Sequence, residues 1–268
     1  MLPRESMNSL RTFLKRTWLY DVYDKHLRKS CDNFRRRRAD RPAVSYSQCG
    51  EDLIMDFLCR SLQIVAPRYL DIGTNDPVRL NNTYLFYKRG CSGVLVEPDP
   101  ALYAKIVRKR KRDICLNVGV GASGVARADF YEFTDPLLNT FSKEEALKYS
   151  SYGSKKIRRC LQIDLLSLTT LLERHFAQPP DIVSLDIEGL DFAVLQSLDF
   201  SRHRPKIFCV ETLTYSENNS GQKMGEIIDL MKANRYQVYA DTYINTIFVD
   251  AEILKVDRAP ESTPPRSG

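Results

Sequence analysis

An α/β fold, with a doubly wound, seven-stranded and mostly parallel sheet, follows from three observations. Short apolar runs of strand length alternate with helix-like segments from about residue 44 to residue 250. The first two runs, Tyr69–Ile72 and Gly93–Val96, are separated by a turn at Gly73 and a short helical stretch, the order of a parallel crossover. The last two, Tyr236–Ala240 and Thr246–Val249, are close enough in sequence to pair as a hairpin, which places one antiparallel strand in the sheet.

Residues 1–41 read as a basic, partly helical N-terminal extension, with 12 Lys/Arg against 5 Asp/Glu. Leu10, Phe13, Leu14, Trp18 and Val22 recur at three- and four-residue steps, which predicts a helix over 8–29. Arg35–Arg38 and Arg41-Pro42 then mark a boundary. Such a segment can pack on the main domain with a solvated linker, lie on an anionic membrane surface through residues 8–38, or act as a nuclear-import or nucleic-acid patch. The chain carries a net charge of +6, so outside the extension it is close to neutral, which argues against a nucleic-acid partner for the body of the protein.

Residues 42–251 form the expected central domain. Glu51–Leu62 reads as a helix with Leu53, Ile54, Phe57, Leu58 and Leu62 on one face. Asn82–Arg89 is a short helix, and Pro100–Lys109 is a helix ending in Arg108-Lys109-Arg110-Lys111-Arg112, a cationic run suited to a solvated C-terminus. Ile114–Val120 reads as the third strand and Ala128–Phe133 as a short extra one. Residues 134–160 are polar and irregular, long for a connection, and segments of that kind often bind substrate or act as lids. Leu165–His175 is a helix, Asp181–Ile187 the fourth strand, Phe192–Ser197 a helix, Lys206–Val210 the fifth strand and Lys223–Asn234 a helix. The Pro-containing tail, 252–268, has the composition of a disordered segment.

Seven cysteines, an odd number without a Cys-x-x-Cys pair, predict buried free thiols in a reducing compartment, with no zinc site and no disulfide framework. No apolar run approaches membrane-spanning length and no secretory h-region is evident, so the expected location is the cytoplasm. His26, His175 and His203 lie in the extension, at a helix end and in a loop, and read as structural or solvated.

Ligands of open α/β sheets bind outside the carboxyl ends of the strands. The polar residues expected there are Asp71, Gly73 and Asn75, then Glu97 and Asp99, Asn117 with Gly119, Asp186 and Glu188, and Glu211 with Thr212. Acids thus end four of the five parallel strands, and so many like charges repel unless something cationic sits among them. The turn narrows the choice of ligand. Dinucleotide sites use Gly-x-Gly-x-x-Gly so that bare amides approach a pyrophosphate, whereas Gly73 is followed by Thr74, Asn75, Asp76 and Pro77. A carboxylate at Glu97, 24 residues after the glycine, suits two ribose hydroxyls. S-adenosylmethionine, with a sulfonium, an ammonium, an adenosine and no phosphate, fits this pattern.

Several stretches together resemble the FkbM-type S-adenosylmethionine-dependent methyltransferases: Tyr46-Ser47-Gln48-Cys49-Gly50-Glu51-Asp52, Asp71-Ile72-Gly73-Thr74-Asn75-Asp76, Asn82-Thr83-Tyr84, Gly93-Val94-Leu95-Val96-Glu97-Pro98, Ser184-Leu185-Asp186-Ile187-Glu188-Gly189, Val210-Glu211 and Asn245-Thr246-Ile247-Phe248-Val249. The resemblance covers about 44–250. It implies the Rossmann-like class I methyltransferase fold and methyl transfer, typically to an oxygen of a sugar or natural product. Pro77 stands where the family commonly has glycine, and Asp191 where it usually has glutamate.

On this footing Asp71 is expected to orient the amino acid end of the cofactor through water, Gly73 and Asn75 to shape the cofactor loop, and Glu97 to accept from the ribose. Asn117 and Val118 flank the adenine. Asp186, Glu188 and Glu211 are the candidate catalytic bases, Asp186 also touching the cofactor. A magnesium ion bridging Asp186 and Glu188 is an option that hard carboxylates allow. Ser47 either caps the following helix or lies near the cofactor mouth. Two other classes compete: a glycosyltransferase using Asp186-Ile187-Glu188 as a metal-binding acidic pair, and a non-catalytic adaptor docking on membranes through its basic helix. The acceptor expected is a carbohydrate or another small molecule.

Overall fold

The computed structural model describes residues 43–122, 126–151, 155–187, 189–214 and 221–254. The helix expected over 8–29, the Arg35–Arg38 run, Glu188, and the tail beyond Leu254 lie outside the described residues.

The elements are α1 (Glu51–Ser61), β1 (Tyr69–Ile72), α2 (Tyr84–Lys88), β2 (Gly93–Val96), α3 (Pro100–Lys109), β3 (Ile114–Leu116), β4 (Gly119–Val120), β5 (Arg127–Phe133), a 3₁₀ turn (Pro136–Leu138), α4 (Lys143–Ser151), β6 (Ile157–Leu166), α5 (Leu168–His175), β7 (Ile182–Leu185), α6 (Asp191–Gln196), β8 (Ile207–Glu211), α7 (Gly225–Ala233), β9 (Tyr236–Asp241), β10 (Asn245–Asp250) and α8 (Ala251–Leu254). The start of the expected tail, Glu252–Leu254, is therefore helical.

Seven strands form one sheet in the order β3-β2-β1-β7-β8-β10-β9, the first five parallel and the closing β9–β10 hairpin antiparallel. Alternating side chains divide its core into two layers. Leu70, Ile72, Val94, Val96, Val183, Leu185, Phe208, Val210 and Phe248 pack with Leu168, Leu171, Leu172, Val194, Leu195, Ile227 and Met231 from α5, α6 and α7. Tyr69, Leu95, Ile182, Ile207, Cys209, Ile247 and Val249 pack on the other face with Met55, Leu58 and Cys59 of α1, Phe86 of α2 and Ile106 of α3. Burial on both faces explains why the central strands read as continuous apolar runs.

The pairing register sets one row across the carboxyl edge. Ile72 lies beside Val96 and Leu185, and Leu185 beside Val210, so the next residues are Glu97, Gly73, Asp186 and Glu211 in sequence across the sheet. Asn245, paired with Glu211, continues the row into β10.

Three expectations are corrected. The strand expected over Ile114–Val120 divides: β3 ends at Leu116, where the Asn117 amide donates to the carbonyls of Glu97 and Pro98, both at 2.9 Å, and β4 leaves to pair with β6. The segment 134–160 is not irregular. It holds the 3₁₀ turn, α4 and the start of β6, and β6 pairs antiparallel with β5 to build a second sheet, β4-β6-β5, over a small core of Phe133, Leu138, Ala146 and Tyr149. The helix expected from Leu165 starts at Leu168, capped by the Ser167 hydroxyl, which accepts from Thr170 N; Leu165 and Leu166 belong to β6.

In α1 the buried face carries Glu51, Asp52, Met55, Asp56, Leu58 and Cys59, whereas Phe57, expected inside, is exposed. The acids win that face because each finds donors: Asp52 accepts from the Ser45 and Ser47 hydroxyls and Tyr46 N, and Asp56 pairs with Arg60 and Arg89. Among the described residues no helix is long and apolar enough to cross a membrane.

Candidate active site

The turn after β1 is built around Gly73, whose φ of +78° lies in the left-handed region. A Cβ there would sit 1.8 Å from the Asp186 carbonyl oxygen, so glycine is required by conformation and by the close approach of the turn to β7. The three amides of this turn are already engaged. Gly73 N and Thr74 N donate to the Val96 carbonyl at 3.0 and 3.2 Å, and Asn75 N donates to Glu97 Oε2 at 2.8 Å.

Glu97 ends β2 and is buried. Its Oε1 accepts from Asp99 N at 2.8 Å, and burial pushes the carboxyl up to about 7 although both amides oppose the rise. Asp99 caps α3, accepting from Ala101 N and Leu102 N, and its second oxygen accepts from the Asn139 amide at 3.1 Å.

Asp186 follows β7. Burial raises its carboxyl to about 6; a hydrogen bond with Glu211 favours its ionised form, and the charges of Asp71 and Glu51 oppose it. Asp191, at the start of α6, is raised to about 7 by burial and by the charge of Asp186; it accepts from the amides of Ile187 and Gly189 and so ties down the segment that carries Asp186.

A cleft of about 360 Å³ opens on this row, within the range of small-molecule sites. Gly73, Asn75, Glu97, Asp186 and Glu211 line it, as do Gln48, Asp76, Arg79, Leu80, Pro98 and Ile187. The second sheet and its connection complete the lining with Phe130, Pro136, Leu137, Asn139 and Phe141.

Asp71, Asn117 and Val118 are not brought to the cleft wall. Asp71 is buried beneath it, accepting from the Thr83 hydroxyl at 2.6 Å and the Asn81 amide at 3.2 Å, with burial raising its pKa. Its role is to join the turn to α2 through Asn81 and Thr83. Asn117 is committed to the two carbonyls that end β3, and Val118 packs on the core. Glu188 lies outside the described residues. Of the Ser47-Gln48 pair, Ser47 accepts from Asp52 N at 3.3 Å near the start of α1, and Gln48 faces the cleft. Glu51 holds this corner in place: it accepts from the Thr242 hydroxyl, the Asn245 amide and Cys49 N, and although burial raises its pKa the hydrogen bonds leave it lowered overall.

Sequence reasoning missed the aromatic wall and Arg110. Arg110 comes from the run taken as a solvated helix end, yet it is fully buried. Neither His175 nor His203 lines the cleft. Among the described residues no group of three or more His, Cys, Asp or Glu side chains is placed to hold a metal ion, and Cys49, Cys59, Cys91, Cys115, Cys160 and Cys209 are unpaired thiols.

No curated protein matches the chain. Solved structures with similarity include a TehB-like SAM-dependent methyltransferase from Corynebacterium glutamicum (11% identity, 85% of this chain and 99% of that one, TM-score 0.39). Two others are an O-methyltransferase from Bacillus cereus in complex with SAH (12%, 80% and 86%, 0.38) and an amino pentose methyltransferase from Micromonospora echinaspora with SAM bound (9%, 85% and 96%, 0.41). The family model of the methyltransferase FkbM domain matches residues 71–238, more than half of the chain and from β1 into β9. The chain therefore belongs to the FkbM methyltransferase family.

Proposed function

We propose that this protein transfers a methyl group from S-adenosylmethionine to a hydroxyl oxygen of a sugar or another small molecule. The observation that carries the choice of cofactor is the use of all three amides of the β1 turn within the protein, on Val96 and Glu97. With the amides of Gly73, Thr74 and Asn75 engaged, the turn is poorly suited to cradle a pyrophosphate, which speaks against dinucleotides and against the sugar nucleotide of a glycosyltransferase. Among the described residues four carboxylates line the cleft, Asp76, Glu97, Asp186 and Glu211, and suit a ligand that carries cationic groups.

The residues present fit the cofactor. Each Glu97 oxygen uses one lone pair on a backbone amide and has another for a ribose hydroxyl. Asp186 and Glu211 offset positive charge at the adjoining strand ends. When bound, the cofactor supplies an electrophilic methyl carbon on a sulfonium.

The chain does the rest. Phe130, Phe141, Leu137 and Pro136 exclude water and present apolar faces to the acceptor. Asp186, raised to about 6 and hydrogen-bonded to Glu211, is ionised at neutral pH and takes the proton of the acceptor hydroxyl; such a base is worth ~10²–10⁴ in rate.

Titration calorimetry with S-adenosylhomocysteine and with a sugar nucleotide tests the cofactor. Binding of the first alone is expected, and binding of the second alone overturns the reading. Incubation with methyl-labelled S-adenosylmethionine and an extract then identifies the acceptor. With that acceptor, Asp186→Asn should lower kcat by ~10²–10⁴ while S-adenosylhomocysteine affinity changes only slightly.

A further inference from the structure

Among the described residues, the cleft is lined by four carboxylates and one cationic side chain, Arg79. Its guanidinium makes no ion pair or hydrogen bond with any other described residue. A lone exposed arginine is ordinarily a solvated one. Here the loop that carries it is anchored at several points. Asp76 Oδ1 accepts from Val78 N at 2.9 Å and from Arg79 N at 2.8 Å. The buried Arg110 donates to the Pro77 carbonyl and to Asn81 Oδ1, both at 3.2 Å, and Asn81 N donates to the Tyr46 carbonyl at 2.9 Å. Leu80 is held in the left-handed region, with a φ of +53°. The backbone on both sides of Arg79 is thus fixed, and the side chain it presents to the cleft has its hydrogen-bonding fork to give.

Resting on the reading above, in which the cleft takes S-adenosylmethionine, we infer that Arg79 binds the carboxylate of the cofactor's amino acid end. That end is a zwitterion, and a zwitterion needs opposite charges side by side. Acids for an ammonium group are abundant along the row from Glu97 to Glu211, and Arg79 is the one group of the opposite sign among the described lining residues. The planar guanidinium matches a carboxylate with two parallel hydrogen bonds. Arg79 also follows Gly73 and Asn75 in the connection between β1 and α2, the segment that the cofactor reading assigns to the cofactor, and lines the cleft with them. Asp71, buried below and committed to Thr83 and Asn81, leaves the amino acid end to other residues.

The test needs no knowledge of the acceptor. Calorimetry compares S-adenosylhomocysteine with 5′-methylthioadenosine, which has the same adenosyl thioether but lacks the amino acid end. In Arg79→Ala, S-adenosylhomocysteine affinity should fall on the order of 10-fold, the scale of one charge-assisted contact, while 5′-methylthioadenosine affinity stays unchanged; Arg79→Lys should lie between. An unchanged S-adenosylhomocysteine affinity overturns the assignment and gives Arg79 to the acceptor or to solvent. An equal loss for both ligands also overturns it, because the variant then acts through the loop. If the unaltered protein binds neither ligand, the cofactor reading itself fails and takes this assignment with it.

Discussion

Arg110 places all five of its N–H donors inside the protein. Nε meets Asp113 at 2.7 Å, one terminal nitrogen meets Pro77 O and Asn81 Oδ1, and the other meets the Tyr69 and Thr83 hydroxyls. The aromatic rings of Tyr69, Tyr84 and Tyr87 surround it with centroids 4.8–5.6 Å away. The guanidinium thus links the base of α2, the Arg79 loop and, through Thr83 and Asn81, the buried Asp71. Arg110→Met strands Asp113 and Asp71 without their counter-charge, and a loss of about 3–5 kcal/mol is expected in urea unfolding. A loss below about 1 kcal/mol would show that the network is dispensable. Nothing in Arg108–Arg112 marks the middle residue as the inward one. Five consecutive residues of similar chemistry carry no periodic signal, and the residue lies just past the helix end, where helical phase no longer sets direction. Gly73 and Glu97, in contrast, were legible in the sequence, because a glycine turn and a strand-terminal acid have meaning within a single crossover.

At the scale of elements, local chemistry accounts for the starts of α3, α4 and α5. Asp99 and Pro100 start α3 in the preferred N-cap and N1 positions. Asp99→Ala removes the cap and the contact to Asn139, so a loss of ~1–2 kcal/mol is expected, read as a lower urea midpoint at constant slope. Cofactor affinity should hardly change, since Glu97 uses the backbone amide at this position. An affinity loss equal to that of a Glu97 variant would contradict this separation of roles. The second sheet also had local signals. Ser142 and Glu145 form the Ser-x-x-Glu pattern of a helix start, and Glu145 N donates to the Ser142 hydroxyl at 3.2 Å. Leu161, Ile163 and Leu165 alternate as a strand should. The pattern was masked because β6 is exposed along most of its length and is rich in charge, so its composition resembles a loop.

For the whole molecule, the decisive feature is the gathering of buried acids at one sheet edge. Glu97 and Asp191 are raised to about 7, Asp186 to about 6, and Asp71 is raised as well. An acid whose folded-state pKa exceeds its unfolded value makes the folded state the better proton binder between the two. Stability of the ligand-free protein should therefore decline as pH rises from about 5 through about 7. Glu51, whose pKa is lowered, acts the other way and removes stability below its unfolded pKa. The expected urea midpoint is highest near pH 5, lower at pH 7 and level beyond; a flat profile across that interval would mean that the acids are compensated in the free protein. On the proposed contact between Glu97 and the ribose, the same sign predicts tighter S-adenosylhomocysteine binding as pH rises through about 7, because a hydroxyl donates to the ionised carboxylate.

The order of strands and helices in the main sheet, the glycine turn and the placing of acids at its strand ends were determined by the sequence alone, because each is a repeat of period two or 3.6, or a turn preference, that acts over a few neighbouring residues. The tertiary structure decided which of those acids reach open space. Glu97 follows β2 at the carboxyl edge and faces the cleft, whereas Asp71, paired with Leu95 inside β1, is sealed under α2 by Thr83 and Asn81. It also decided the aromatic wall and the burial of Arg110. A local pattern says how a side chain is phased along its own element; only packing says what another element lays over it.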